Sequence, residues 1–291
     1  MKDCHMNQYK KSHSGFNGKM GMTLLLLFLL VPAFALAQEF KKITLLQTSD
    51  VHSRIEPVLQ KGDPNYGQGG FSRRVTFLKE FRKDNPNVFL FDCGDFSQGT
   101  PYYNVFQGEV EIKLMNEMHY DAVAIGNHEF DFGIDNMVRL FKMANFPVVC
   151  ANYNVEATAL KDLVKPFIII ERSGLKIGVF GLGAKLEGLV QASKCAGVVY
   201  EDPVTVSNAI AAQLKKKGCD VVVCLSHLGV QDDEVLVTKT RNIDVILGGH
   251  SHTFWDAPKA YLNMDGKSVS IMHSGKNGVY VGRTDLTLKK K

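Results

Sequence analysis

Seven short apolar runs punctuate the chain: ITLLQT (43–48), VFLFDC (88–93), AVAI (122–125), PVVCA (147–151), LKIGVFGL (175–182), VVVCL (221–225) and VILGG (245–249). Their length and β-branched content predict strands, and their lack of polar alternation predicts burial on both faces. Between them the period changes. FSRRVTFLKEFRKD (71–84) sets Phe71, Val75, Leu78 and Phe81 at helical intervals, and VEIKLMNEM (110–118) and IDNMVRLFKMA (134–144) behave alike. DPVTVSNAIAAQLKKKG (202–218) marks its own ends, with Asp202 as cap, Pro203 at the first helical position and Gly218 beyond a lysine-rich last turn.

Strands alternating with helices place the chain in the α/β class. Two segments break the alternation. FIIIERSGLKIGVF (167–180) predicts a hairpin across Ser173-Gly174, and KSVSIMHSGKNGVYVGRTDLTL (267–288) predicts another, turning at Lys276-Asn277-Gly278. A single parallel sheet has no room for hairpins, so mixed sheets, two of them packed together, are expected. The chain shows no internal repeat or linker, and one domain is expected.

The 291 residues are 45% hydrophobic, an ordinary globular composition. The first 37 stand apart. Lys2, Lys10, Lys11 and Lys19 precede the apolar run LLLLFLLVPAFALA, and Ala35-Leu36-Ala37 has the small-x-small form of a cleavage site. The run falls short of the roughly 20 residues of a membrane span. Residues 1–37 therefore read as a signal peptide cleaved after Ala37, and residues 38–291 as a periplasmic or secreted domain. Without the leader the charge drops from +4 to +1, with 30 basic and 29 acidic residues. That balance offers no electrostatic basis for binding a nucleic-acid polymer or a membrane surface. Five cysteines remain, an odd number with no CxxC pair, so no disulfide framework is expected.

The chemistry lies just after the strands. Asp50 and His52 follow the first run, Asp95 the second, and Asn127 and His128 the third; His227 follows VVVCL, and His250 and His252 follow VILGG. In α/β proteins ligands collect beyond the carboxyl ends of the strands. Seven histidines remain after the leader, and five lie at these ends; the others are His119 and His273. Each piece alone reads as turn chemistry or an interior histidine. Five together, each at the same topological place, read as a site. Imidazoles, carboxylates and an amide oxygen without thiolate suit Mn²⁺, Fe, Zn²⁺ or Co²⁺. Eight such side chains exceed the needs of one catalytic ion, whereas two ions sharing a carboxylate use most of them. A dinucleotide fold is excluded, because GLG (181–183) and GGH lack the GxGxxG fingerprint.

In this order, DVH, GDFSQG, GNHEFD, SHLG and GGHSH resemble the calcineurin-type metallophosphoesterases, and within them the secreted 5′-nucleotidase and UDP-sugar hydrolase group. The resemblance spans about residues 43–288. It implies a four-layer α/β/β/α sandwich of two mixed sheets. It also implies two divalent ions, one held by Asp50, His52 and His252, the other by Asn127, His227 and His250, with Asp95 between them. His128 resembles the family's catalytic histidine and Asp131 the carboxylate that orients it, whereas Glu129 has no assigned role. The implied reaction is phosphoester hydrolysis, a water or hydroxide activated between the ions attacking phosphorus in line.

The chain departs from the family in one respect. In the nucleotidases this domain is followed by a second one that binds the nucleobase, and these 291 residues contain no counterpart. The expected reading is a 5′-nucleotidase whose substrate-binding domain is a separate chain. The alternatives are a broad phosphomonoesterase, a 2′,3′-cyclic-nucleotide phosphodiesterase, or a non-catalytic metal-binding subunit.

Overall fold

The computed structural model describes residues 40–289. The leader expected at residues 1–37 lies outside them. Along the chain come β1 (Phe40–Thr48), α1 (Phe71–Asp84), β2 (Val88–Asp92), α2 (Pro101–Phe106), α3 (Glu109–Met118), β3 (Ala122–Ala124) and α4 (Ile134–Met143). Four short strands and a hairpin follow: β4 (Val148–Val149), β5 (Tyr153–Asn154), β6 (Val164–Lys165), β7 (Phe167–Arg172), β8 (Leu175–Gly183) and β9 (Val199–Tyr200). The last third holds α5 (Pro203–Lys216), β10 (Val221–His227), α6 (Val230–Thr238), β11 (Val245–Gly248), β12 (Lys259–Leu262), β13 (Ser268–His273) and β14 (Gly282–Lys289).

Two six-stranded mixed sheets result, in the orders β14-β1-β2-β3-β4-β6 and β12-β13-β11-β10-β8-β7, with β5 and β9 forming a small pair. The pleat distributes the apolar side chains into layers. Ile43, Leu45, Phe89 and Phe91 meet Ile177, Val179, Val223 and Leu247 between the sheets. On the far side of the first sheet, Leu46, Val88 and Leu90 pack on α1, α3 and α4 through Leu78, Met115 and Leu140. On the far side of the second, Val222, Cys224 and Ile246 pack on α5 and α6 through Leu214 and Leu236. This is the expected α/β/β/α sandwich. Strands covered on both faces explain the unbroken apolar runs, and truncating Phe89 or Phe91 to alanine costs about 3–5 kcal/mol.

The helix ends follow the chemistry of the sequence. Asp202 accepts the Thr205 N–H at 2.8 Å at the start of α5, Pro203 opens the helix, and Gly218 leaves it at φ 82°. The hairpin at Ser173-Gly174 also forms, both residues taking positive φ as a two-residue turn requires.

The second expected hairpin does not form. β13 pairs with β11 and β12, whereas β14 crosses to the other sheet and runs antiparallel to β1. The turn at Asn277-Gly278 exists, with φ of 61° and 58°, but its hydrogen bonds go elsewhere. Asn277 N–H donates to the Asp50 carbonyl at 2.7 Å and Gly275 N–H to Thr253 at 2.9 Å, so the turn ties two loops together. The five cysteines among the described residues are free, and four of them are buried. No helix among the described residues is long and apolar enough to cross a membrane.

Candidate metal centre

β1, β2 and β3 run parallel in one sheet, as do β8, β10 and β11 in the other. Their carboxyl ends therefore open on the same edge of the sandwich. Asp50, His52, Asp95, Asn127, His227, His250 and His252 all converge there. Their backbones are unusual: Asp50, His52, Asp95, His250 and His252 have φ between 49° and 71°. Left-handed backbone is costly outside glycine, and it persists where surrounding bonds hold it. Here the loops hold one another. Asp50 N–H donates to Gly94 O at 2.9 Å, His52 N–H to Asp95 O at 3.0 Å, and His250 N–H to the Asp50 carboxylate at 3.0 Å.

Among the described residues, three groups of potential ligand atoms form, each with all atoms within 4.8 Å: Asp50, His52 and His252; Asp95, His227 and His250; and His52, Asp95 and His128. Asp95 thus stands with imidazoles of both sets, as a shared carboxylate must. Asn127 directly precedes His128, whose N–H bonds Asp95, and its buried Oδ1 has no hydrogen-bond partner.

The proton positions suit a cation. His227 is fully buried, and its Nδ1 lies 2.7 Å from the Cys93 carbonyl, which requires the proton there. Its Nε2 lies 3.0 Å from Asp95 Oδ2; burial lowers its pKa, but that carboxylate outweighs burial and raises it to about 10, so either a proton or a cation lies between the two atoms. The Nε2 atoms of His52 and His252 are 2.9 Å apart, and two imidazole lone pairs that close need a cation or a proton between them. Burial lowers the pKa of His52, His250 and His252, the last to about 4 with His52 adding to the effect. These three rings are therefore neutral at physiological pH, the form that ligates. Burial raises Asp50 to about 6 against the pull of His227. Burial acts on Asp95 in the same sense, but the charge and hydrogen bond of His227 outweigh it and hold that carboxyl below the usual range. Donor types, lone-pair directions and the orphaned amide oxygen all fit divalent ions.

His128 opens the single turn of 3₁₀ helix after β3. Its backbone N–H donates to Asp95 Oδ1 at 2.9 Å, and its ring Nδ1 lies 3.0 Å from Asp131 Oδ2. That bond is the main reason its pKa is raised, although partial burial works against it. The ring is half exposed and edge-on to His52 at 5.4 Å. A ring that leans on Asp131 while facing both the cluster and solvent can reach a substrate.

Glu129, to which the resemblance assigns no role, is fully buried and joins two of the ligand loops. Its Oε2 accepts N–H groups from Gly126 at 2.7 Å and Asp95 at 3.0 Å, and its Oε1 accepts Ser97 N–H at 3.1 Å. No sequence signal marks this role: a glutamate that reaches back three residues to an N–H is a capping pattern only at a helix start, and the turn here opens at His128.

Residues 43–254 match the family model described as calcineurin-like phosphoesterase. A snake venom 5′-nucleotidase from Crotalus adamanteus is 32% identical over 279 residues, 89% of this chain and 47% of that protein. The solved 5′-nucleotidase precursor of Thermus thermophilus superposes with a TM-score of 0.78 at 28% identity, over 86% of this chain and 54% of the other. The calcineurin-like phosphoesterase YfkN of Bacillus subtilis superposes with a TM-score of 0.74 at 26% identity, over 87% of both chains. The chain spans about half the length of the curated relatives it matches. With nearly three quarters of its residues under one family model and donor clusters at its strand ends, the chain belongs to the calcineurin-like phosphoesterase family.

Proposed function

We propose that the chain is a dinuclear-metal-dependent phosphomonoesterase of 5′-nucleotidase type. The observation that carries the reading is the meeting of two donor clusters at Asp95, beside the His128–Asp131 pair. Asp50, His52 and His252 would hold one ion and Asn127, His227 and His250 the other, with Asp95 available to both. When bound, the ions supply Lewis acidity, lowering the pKa of water and neutralising phosphoryl charge.

The chain's own groups do the rest. The mutually bonded loops fix the donors, so that little reorganisation accompanies reaction. His128 donates to the departing ester oxygen and offsets the charge developing there. Asp131 holds the imidazole by Nδ1, which leaves Nε2 to face the substrate. A non-catalytic metal subunit has no use for this pair, which favours the enzyme.

Relatives named 5′-nucleotidases support nucleotides as substrates. We assign base recognition to a further domain, corresponding to the part of those relatives outside the match. Residues 1–37 are the exported leader and residues 38–291 the catalytic domain. A relative from venom supports an extracellular or periplasmic setting. The test is phosphate release from AMP, 2′,3′-cyclic AMP and p-nitrophenyl phosphate by the Mn²⁺-loaded protein. AMP turnover above the other two supports the reading; hydrolysis of the cyclic ester alone would replace it with a phosphodiesterase.

A further inference from the structure

Of the two described histidines outside the ligand clusters and the His128–Asp131 pair, His119 is exposed and His273 is buried at the end of β13. His273 faces Asp233, which is also fully buried, in the first turn of α6. His273 Nε2 lies 3.0 Å from Asp233 Oδ2, and the other carboxyl oxygen accepts the hydroxyl of Ser226. That hydroxyl in turn accepts Leu228 N–H at 3.2 Å. The contacts thus grip the chain one residue before and one residue after His227. Ser226 has a single hydroxyl proton. Asp233 fixes where it points, leaving the lone pairs for Leu228.

The surroundings leave this chain of contacts little freedom. A Cβ on Gly248 would stand 2.3 Å from His273 Nε2 and 2.5 Å from Asp233 Oδ2, so only glycine lets β11 pass. The next residue, Gly249, donates its N–H to the Ser226 carbonyl at 2.9 Å, immediately before His250. Trp255 sets its ring edge-on to His273 at 5.2 Å. Stability alone is a poor explanation for such a contact, because apolar residues of similar volume serve a core at least as well as a buried polar pair.

We propose that His273, Asp233 and Ser226 form a positioning relay that fixes His227, and through it the ion site of Asp95, His227 and His250. This rests on the two-ion reading above. His273 touches no ligand atom and acts through Asp233 and Ser226. Partners that orient metal ligands are commonly worth about 10- to 100-fold in affinity.

The experiment titrates the metal-stripped full chain with Co²⁺, recording heat, visible absorption and melting temperature for the parent, His273→Leu, His273→Gln and Ser226→Ala. The parent is expected to show two binding steps. His273→Leu, which leaves Asp233 without its donor, should weaken one step by about 10- to 100-fold and alter the spectrum of that step alone. His273→Gln keeps an N–H for Asp233 and should restore both. Ser226→Ala, which leaves the buried pair intact, should weaken the same step and serves if His273→Leu does not fold. Parental affinities in both His273→Leu and Ser226→Ala would overturn the proposal, as would both steps weakening together in proportion to lost melting temperature. A parent that takes up fewer than two ions would overturn the two-ion reading, and this shows before any variant is made.

Discussion

Gly126→Ala probes the shared carboxylate with one added carbon. A Cβ at this position would lie 2.1 Å from Asp95 Oδ1 and 2.5 Å from Asp95 N, where ordinary contact begins at 3.4 Å. The carboxyl cannot swing aside freely, because the same Oδ1 accepts His128 N–H and the Asp95 backbone N–H is held by Glu129. Gly126 is not among the residues of positive φ, so alanine meets no backbone penalty and crowding acts alone. The two loops must separate by about 1.3 Å to restore contact distance. Overpacking of this kind costs about 1–3 kcal/mol, equivalent to roughly 2–12 °C in a domain of this size. A misplacement near 1 Å costs about 100-fold in rate. The assay is phosphate release and ion content for the parent and the variant. Gly188→Ala is the control: it has φ 84° and open space around it, so it should lose about 1 kcal/mol of stability at unchanged turnover. A Gly126→Ala protein with two ions and turnover within about three-fold, against that expected 100-fold loss, would refute the argument.

His128→Ala should keep both ions and lose about 10²- to 10⁴-fold in kcat, the usual contribution of a positioned acid; loss of ion content instead would make His128 a ligand. Glu129→Gln replaces one of two oxygens that accept three backbone N–H groups. Each N–H left unsatisfied costs about 1–3 kcal/mol, so urea unfolding should show at least that loss, and an unchanged midpoint would contradict the bridging role. Asp92 gives a pH dependence: burial raises its carboxyl from 3.8 to about 8, although Thr48 and Gly94 bond to it. The fold therefore favours the protonated acid, whose stabilisation is full below pH 3.8 and is lost as pH rises towards 8. Asp92→Asn should flatten the fall in melting temperature between pH 5 and pH 8, and an equal fall in both proteins would count against it.

The layers and the convergence of the candidate donors were legible because both rest on local signals. Buried strands show as unbroken apolar runs, and Asp50, Asp95, Asn127, His227 and His250 each stand directly beyond one. What escaped depends on partners distant in sequence. β13 and β14 were read as one hairpin since the turn at Asn277-Gly278 looks like any other, and its bond to Asp50 lies more than 200 residues away. The edge strand β12 was missed because it is mostly exposed and lacks apolar alternation. α6 was missed because its polar first turn, with Asp232 and Asp233, obscures the period. Glu129 and the Asp233–His273 pair carry no signal as single residues; burial gives them their roles, and burial is set by the packing of both sheets.

The central claim is a pair of ions sharing Asp95, and anomalous diffraction from crystals grown with Mn²⁺ tests it most directly. The account predicts two peaks about 3.5–4 Å apart, one among Asp50, His52 and His252, the other among Asn127, His227 and His250, both within bonding distance of Asp95. A single peak, or two peaks with Asp95 bound to only one, would contradict it.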